Sequence, residues 1–262
     1  YRGLRIAAER GVELLVTPET SLTGLFPSSP VTTDPEPVFE AESKLRAFIH
    51  ELDGAPYLVA GLPEWRKIPE HRLQKTRYNI SRVYDPDGNV ASTHTKVHSA
   101  ERGFWHGYHL NEFDVLGVPV SMHICHDHRY PELWTLPVMF GTRLVLHPSN
   151  GGRVSGSVDA FQEVAKEITS SSHAFYVNVN GEGGSYIVGP HRRGELLASS
   201  SECSVKNPEF PMVGPAEEGL FHARIRVHDA FGYWPVRSFR ASEEVAKAYV
   251  AQYIALGGLR VP

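Results

Sequence analysis

Cysteine is almost absent from this chain: Cys125 and Cys203 are the only two in 262 residues. Two cysteines allow at most one bridge, so a disulfide framework is excluded and a reducing, cytoplasmic setting is expected. Long apolar runs are missing as well. None approaches the roughly 18 to 20 residues that span a bilayer, and the opening "YRGLRIAAERG" lacks the apolar centre of a signal peptide. It reads instead as a short helix stopped by Gly11. Clustered positive charge is also lacking: 30 Asp and Glu stand against 26 Lys and Arg, and the basic residues are scattered. The footprint of a nucleic-acid binder is therefore absent, and neither nucleic acid nor membrane is an expected partner. Small neutral or anionic metabolites fit better.

What is present is the composition of an ordinary globular protein, 41% hydrophobic and 21% charged. No low-complexity linker divides it, so one domain over residues 1–262 is expected. After Gly11, "VELLV" is a short apolar run leading into Thr17, Pro18 and Glu19, a buried strand with a carboxylate at its C-terminal edge. Residues 39–52 place Phe39, Leu45, Phe48, Ile49 and Leu52 near helical spacing, and "YLVAG" follows as a strand. "YNISRVYDPDGNVASTHTKVH" is two extended runs about the turn Asp85-Pro86-Asp87-Gly88, which puts Lys96 on or just after a hairpin strand. The second half repeats the rhythm: strand "VPVSMHI", helix "PELWTLPVMF" from Pro131, strand "RLVL", a helix from about 157 to 172, strand "FYVNVN" and a closing helix from 242 to about 256. The similar endings "LLVTPETS" and "LVLHPSN" hint at internal duplication. Alternating helices and strands predict an α/β layered fold.

The densest chemistry lies in "HICHDHRY", residues 123–130, with three histidines, a cysteine and an aspartate in eight positions. Strand alternation puts His123 and Cys125 on one face and the next histidine on the other, and no second distant ligand pair exists, which disfavours a metal site. Asp85, Asp87 and Asn89 make a turn rather than a calcium loop, because the glycine comes too early and no acidic residue closes it. A lone cysteine is ordinarily a small core residue. Cys125, however, ends a buried strand just before a helix starts, an elbow that exposes a nucleophile and aims backbone N–H groups at one point. Its thiol then needs a base and a positive neighbour. Glu19, Lys96 and Glu101 each have bland readings as a helix-start carboxylate, a solvated lysine and a loop residue. Their shared position at element ends makes the set a candidate site.

These stretches resemble the nitrilase superfamily of carbon-nitrogen hydrolases. "LLVTPETSLTG" is similar to the family's strand with Pro-Glu and a downstream glycine. "GLPE" with "YNISRVYDPDGNV" is similar to its glycine-rich turn and hairpin, "THTKVH" to its lysine motif, and "VSMHICHDHRYPE" to its Cys-x-Asp-x-Arg-aromatic-Pro-Glu elbow. The resemblance runs from about residue 1 to 235. It implies a four-layer α-β-β-α sandwich with a Glu-Lys-Cys triad on Glu19, Lys96 and Cys125, and a second glutamate on Glu101 in "ERGFWHG". It also implies hydrolysis of amides, N-carbamoyl compounds or nitriles without metal or organic cofactor, and homo-oligomers. Two departures stand out. Ser99 occupies a position where the family usually has leucine, in a short loop between Lys96 and Cys125. Family members also begin with a further strand before the equivalent of "RGLRIAAERG", so a truncated start is expected.

On this reading Glu19 takes the thiol proton and Lys96 stays cationic, and with the backbone N–H of His126 it stabilises the oxyanion. Glu101 holds Lys96 or positions the leaving group. Substrate binding is assigned to Arg129, Tyr130 and Asn150, with Arg129 either bridging Asp127, Glu132 or nearby carbonyls or pairing with a substrate carboxylate. The expected partner is a small amide. Rival readings are a catalytically silent binding subunit, which would have no reason to keep all three residue types, and a metal-dependent hydrolase.

Overall fold

The computed structural model describes residues 1–24, 35–68, 71–99, 101, 103–139, 141–150, 174–181, 185–190 and 195–199, with scattered positions at 165, 169, 220, 222–226, 244, 247–248 and 251. Cys203 lies outside the described residues. So do most of the helices expected over 157–172 and 242–256, although their described positions, 165, 169, 244, 247, 248 and 251, are helical.

Among the described residues, two helices and five strands build the first layers. Helix α1 (Arg2–Glu9) buries Leu4 and Ala7 and ends before Gly11, whose φ of 64° is the left-handed turn that a glycine accepts without cost. Strand β1 (Leu14–Val16) pairs in parallel with β2 (Tyr57–Ile68), and α2 (Pro35–Glu51) links them. Strands β3 (His71–Tyr84) and β4 (Val90–Thr95) form the expected hairpin. In its turn, Asp85 Oδ1 accepts the N–H groups of Asp87 and Asn89. The sheet order is β1-β2-β3-β4, with the short β5 (Phe104–Trp105) also beside β3.

The second sheet runs β11-β10-β9-β8-β7-β6. Its members are β6 (Glu112–Val115), β7 (Val118–Met122), β8 (Leu144–Ser149), β9 (Phe175–Asn180), β10 (Tyr186–Gly189) and β11 (Glu195–Ser199). A 3₁₀ turn (Cys125–Arg129) and α3 (Glu132–Met139) connect β7 to β8, which lie parallel.

Alternation along the strands sorts the core into layers. Val59 and Val83 of the first sheet meet Val120, Met122, Leu144, Leu146 and Phe175 of the second. The neighbours facing the other way, Leu58, Ala60 and Tyr84, pack on Leu4, Ala7, Leu45 and Ile49 of α1 and α2. Val145 and Tyr176 likewise pack outward on Trp134 and Val138 of α3. The order is helix, sheet, sheet, helix, the four-layer sandwich expected.

Two boundaries differ from the sequence reading. Helix α2 begins at Pro35, four residues before the apolar spacing starts at Phe39. "GLPE" is not a turn but the interior of β2. The strand continues through Pro63 because β1 pairs only with Tyr57, Leu58 and Val59, so β2 has a single sheet partner there and one missing N–H is tolerated. Gly61 serves a close approach instead: a Cβ on it would lie 2.2 Å from the Thr20 nitrogen. Among the described residues no helix is long and apolar enough to cross a membrane.

Candidate active site

Glu19 leaves β1 through Thr17, whose N–H and hydroxyl both donate to the Val59 carbonyl, at 3.0 and 2.8 Å. The segment then presses onto β2, where Leu22 N–H donates to the Gly61 carbonyl and Gly61 N–H donates to Ser21 Oγ. Thr20 is buried at a φ of 51°. Glycine at position 61 is thus what lets Glu19 sink to 2% exposure.

Lys96 follows the last residue of β4 and extends its ladder, donating its N–H to the Asn79 carbonyl at 2.8 Å. Its side chain is wholly buried. The ammonium donates to Glu19 Oε1 at 2.8 Å and to Glu101 Oε1 at 2.5 Å. Glu101 Oε2 accepts the Ser99 hydroxyl at 2.7 Å, so the serine that departs from the family pattern steadies the second carboxylate. Burial by itself would lower the Lys96 pKa, but Glu19, Cys125 and Glu101 outweigh it and hold the ammonium charged. Glu101 is in turn held below the usual carboxylate range: burial opposes this, and the Lys96 charge and hydrogen bond prevail.

Asn79 was not singled out from the sequence. It lies on β3 and donates Nδ2–H to the same Glu19 oxygen at 2.7 Å. Oε1 is therefore doubly held, and Oε2 is buried with no N–H or O–H donor among the described residues. The Glu19 carboxylate also raises the pKa of the Cys125 thiol.

Cys125 opens the 3₁₀ turn with a φ of 47°. A left-handed backbone at a residue bearing Cβ is strained, and such strain gathers at functional sites. Burial pushes the thiol up to about 12, with Glu19 adding to the shift while the Lys96 charge and the Asn150 backbone N–H oppose it. Asn150 is thus placed with its main chain on the sulfur, and its side-chain oxygen lies over Gly181, where a Cβ would come within 2.4 Å. The His126 side chain is half-buried, and its pKa is lowered by burial and by Lys96.

Asp127 is a second residue whose role the spacing did not disclose. It is fully buried, and its carboxylate accepts the N–H groups of His98 (2.7 Å), Ile124 (3.1 Å) and Val97 (3.3 Å), with His94 Nε2 at 3.8 Å. It ties the strand end that carries Lys96 to the elbow that carries Cys125. Arg129 is exposed and forms no ion pair among the described residues, so the expected bridge to Asp127 or Glu132 is not formed. Tyr130 is half-buried, its ring stacked on His98 at 3.4 Å between centroids.

Glu19, Lys96, Glu101, Cys125 and Asn150 therefore converge. A buried amine fixed between two carboxylates, one of them beside a thiol, can accept and return a proton and can stabilise developing negative charge. A hydrolase of Schizosaccharomyces pombe is 28% identical over 160 residues, a match covering 54% of this chain and 46% of the relative. The chain thus spans about half the length of that curated relative. In fold, it is similar to the NitN amidase of Nesterenkonia sp. AN1, with a TM-score of 0.67 at 23% identity over 92% of this chain and 90% of that one. A mutant of that amidase, at a TM-score of 0.67 and 22% identity over 92% and 90% of the two chains, carries acrylamide added at the active-site cysteine. Another, at 0.68 and 22% over 92% and 87%, is in complex with butyramide. The carbon-nitrogen hydrolase model matches residues 4–204, and the chain belongs to the carbon-nitrogen hydrolase family.

Proposed function

We propose that this protein is a small-molecule amidase acting through a thioester on Cys125. The observation that carries the reading is Glu19, buried and interacting with the Cys125 thiol, its Oε1 clamped by Lys96 and Asn79 and its Oε2 with no N–H or O–H donor among the described residues. Burial raises the thiol pKa to about 12, so the sulfur is protonated at pH 7 and must lose its proton as it attacks. Passing that proton to Glu19 leaves the total charge of Glu19, Lys96, Glu101 and Cys125 unchanged. The step therefore brings no further charge into a buried site.

The thiolate attacks the amide carbon, and the carbonyl oxygen takes up negative charge against the Lys96 ammonium and the His126 N–H. The first N–H groups of a helical turn have no partner within it and are available to such an oxygen. As the C–N bond breaks, protonated Glu19 returns its proton to the amine, which leaves as ammonia from a primary amide. Glu19 then takes a proton from water, the resulting hydroxide equivalent cleaves the thioester, and the acid and free thiol are restored. N-carbamoyl amino acids and nitriles fit the same steps as alternative substrates. Exposed Arg129 supplies a guanidinium for substrates that end in a carboxylate.

The test is ammonia release from a panel of short amides, ω-amides of dicarboxylic acids, N-carbamoyl amino acids and nitriles. Turnover of amides by the wild type, and its loss in both Cys125→Ala and Glu19→Gln, are the expected results. Turnover by Cys125→Ala, or no ammonia from any member of the panel, would overturn the reading.

A further inference from the structure

The histidines around the elbow are not used by the steps above, yet they are arranged. His147, on β8, is wholly buried, and its Nε2 lies 3.0 Å from the Cys125 carbonyl oxygen. His128, in the 3₁₀ turn, places Nδ1 2.7 Å from the same oxygen. A carbonyl oxygen only accepts, so both ring nitrogens carry hydrogen. With Nε2 protonated in a neutral ring, His147 Nδ1 must accept, and the Tyr176 hydroxyl 2.6 Å away must donate to it. His123 Nε2, 3.4 Å from the Tyr176 oxygen, completes the chain from behind, its ring stacked on that of His147 at 4.5 Å between centroids. One directed series of donors thus runs from His123 through Tyr176 and His147 and ends on the Cys125 carbonyl, where His128 joins it.

That carbonyl is half of the peptide group whose other half is the His126 N–H. We infer that His147 and His128 are positioning residues for the oxyanion donor: they fix the plane of the 125–126 peptide and polarise it, so that its N–H meets the developing oxyanion as a stronger and better-aimed donor. Amides in a hydrogen-bonded series strengthen one another's donors in this way, and a donor gains most where charge appears only in the transition state. The pair also holds a residue that sits at positive φ, which a neutral elbow without these bonds would relax. The inference rests on the amidase reading above, in which the His126 N–H faces the substrate oxygen.

Four variants test it. Gln at 147 and Asn at 128 can keep a donor near the position of the imidazole N–H, whereas His147→Leu and His128→Ala cannot. In the latter two, kcat for a short amide is expected to fall about tenfold or more with KM little changed, with recovery toward wild type in His147→Gln and His128→Asn. Methyl methanethiosulfonate labels the sulfur without forming an oxyanion, and its rate on Cys125 is expected to stay within about twofold of wild type. A parallel fall in labelling and kcat would reduce the histidines to supports of the elbow and overturn the inference. A substrate-free arm uses the fact that Cys-His occurs once in the sequence, at 125–126. Protein made with carbonyl-labelled cysteine and ¹⁵N-histidine gives one cross-peak for this peptide. Its carbonyl signal should move upfield in His147→Leu and His128→Ala and return in the conservative variants. An unmoved signal overturns the inference even if the wild type hydrolyses no amide, an outcome that by itself overturns only the amidase reading.

Discussion

Asn79 donates to the same oxygen of Glu19 that receives the Lys96 ammonium, at 2.7 Å from the side chain of a residue in the middle of β3. The second bond fixes the orientation of the carboxylate. Without it the carboxylate can rotate about its own axis and share Lys96 between both oxygens. Asn79→Leu is therefore expected to lower kcat by about tenfold or more while KM stays near wild type, since a 1 Å misplacement of a reacting group is already costly. Steady-state kinetics on a short amide check this, and an unchanged kcat would make the bond merely structural.

Lys96 should tolerate no replacement. Lys96→Arg is expected to lose kcat by at least about a hundredfold, because a planar fork cannot fill the place of a compact ammonium between two carboxylates. Lys96→Met leaves buried Glu19 uncompensated and should cost about 3–5 kcal/mol of stability, read from urea unfolding.

The elbow gives a prediction of unusual sign. Glycine normally destabilises relative to alanine, by about 0.5–1 kcal/mol inside regular structure. At a φ of 47° the balance reverses, since a residue with Cβ pays about 1–2 kcal/mol there. Both Cys125→Ala and Cys125→Gly should be inactive, with the glycine variant the more stable of the two by thermal unfolding. A clearly less stable glycine variant would mean that the elbow is unstrained.

Stability should fall as the pH drops below neutrality. Burial holds His147 at about 3 and His128 at about 4 in the folded protein, against about 6.5 in an unfolded chain. Below about 6.5 the unfolded state binds protons that the folded state refuses, so stability is complete above that pH and declines as the pH falls toward the folded values. Asp127 adds a separate window. Burial opposes its ionisation, but His94 and the backbone donors lower its pKa, so its contribution is lost only below about 3.9. The urea midpoint should therefore decrease between pH 7 and pH 4.5 in the wild type and less in His147→Gln. A flat wild-type profile would show that these imidazoles titrate normally.

Arg129 is exposed, so Arg129→Lys should leave the melting temperature unchanged. If its guanidinium pairs with a substrate carboxylate, KM for ω-amides of dicarboxylic acids should rise about tenfold, about 1.4 kcal/mol, with uncharged amides unaffected. Equal KM changes on both substrate types would remove Arg129 from recognition.

Glu19, Lys96 and Cys125 could be read from the sequence because each stands at the end of an expected strand, and chain direction alone then brings them to sheet edges. Asn79 and Asp127 could not. Asn79 sits among Tyr78 and Ile80 in an ordinary alternating strand, and its importance comes from being opposite Glu19, which depends on how β1, β2 and β3 align. Asp127 lay within a recognised motif, but its partners at 97, 98 and 124 follow strands of two different sheets. His147 reads as one more position of "LVLHPSN", and only the parallel placement of β8 beside β7 sets it behind the nucleophile. Gly61 was misread for a related reason: glycine signals a turn in one dimension, whereas here it clears space for a segment distant in sequence.

Glu19 and Lys96 follow strands of the first sheet, Cys125 and Asn150 follow strands of the second, and Asp127 is a rivet between them. The machinery is therefore assembled across an internal seam, and its reach is set by the spacing of two slabs that meet through Val59, Val83, Leu144 and Leu146. A residue far from any reacting atom can act as a shim in that seam. Thinning it, as alanine would at Val59 or Leu146, lets the halves settle toward each other, and the chemistry should register the change of gauge before the fold does.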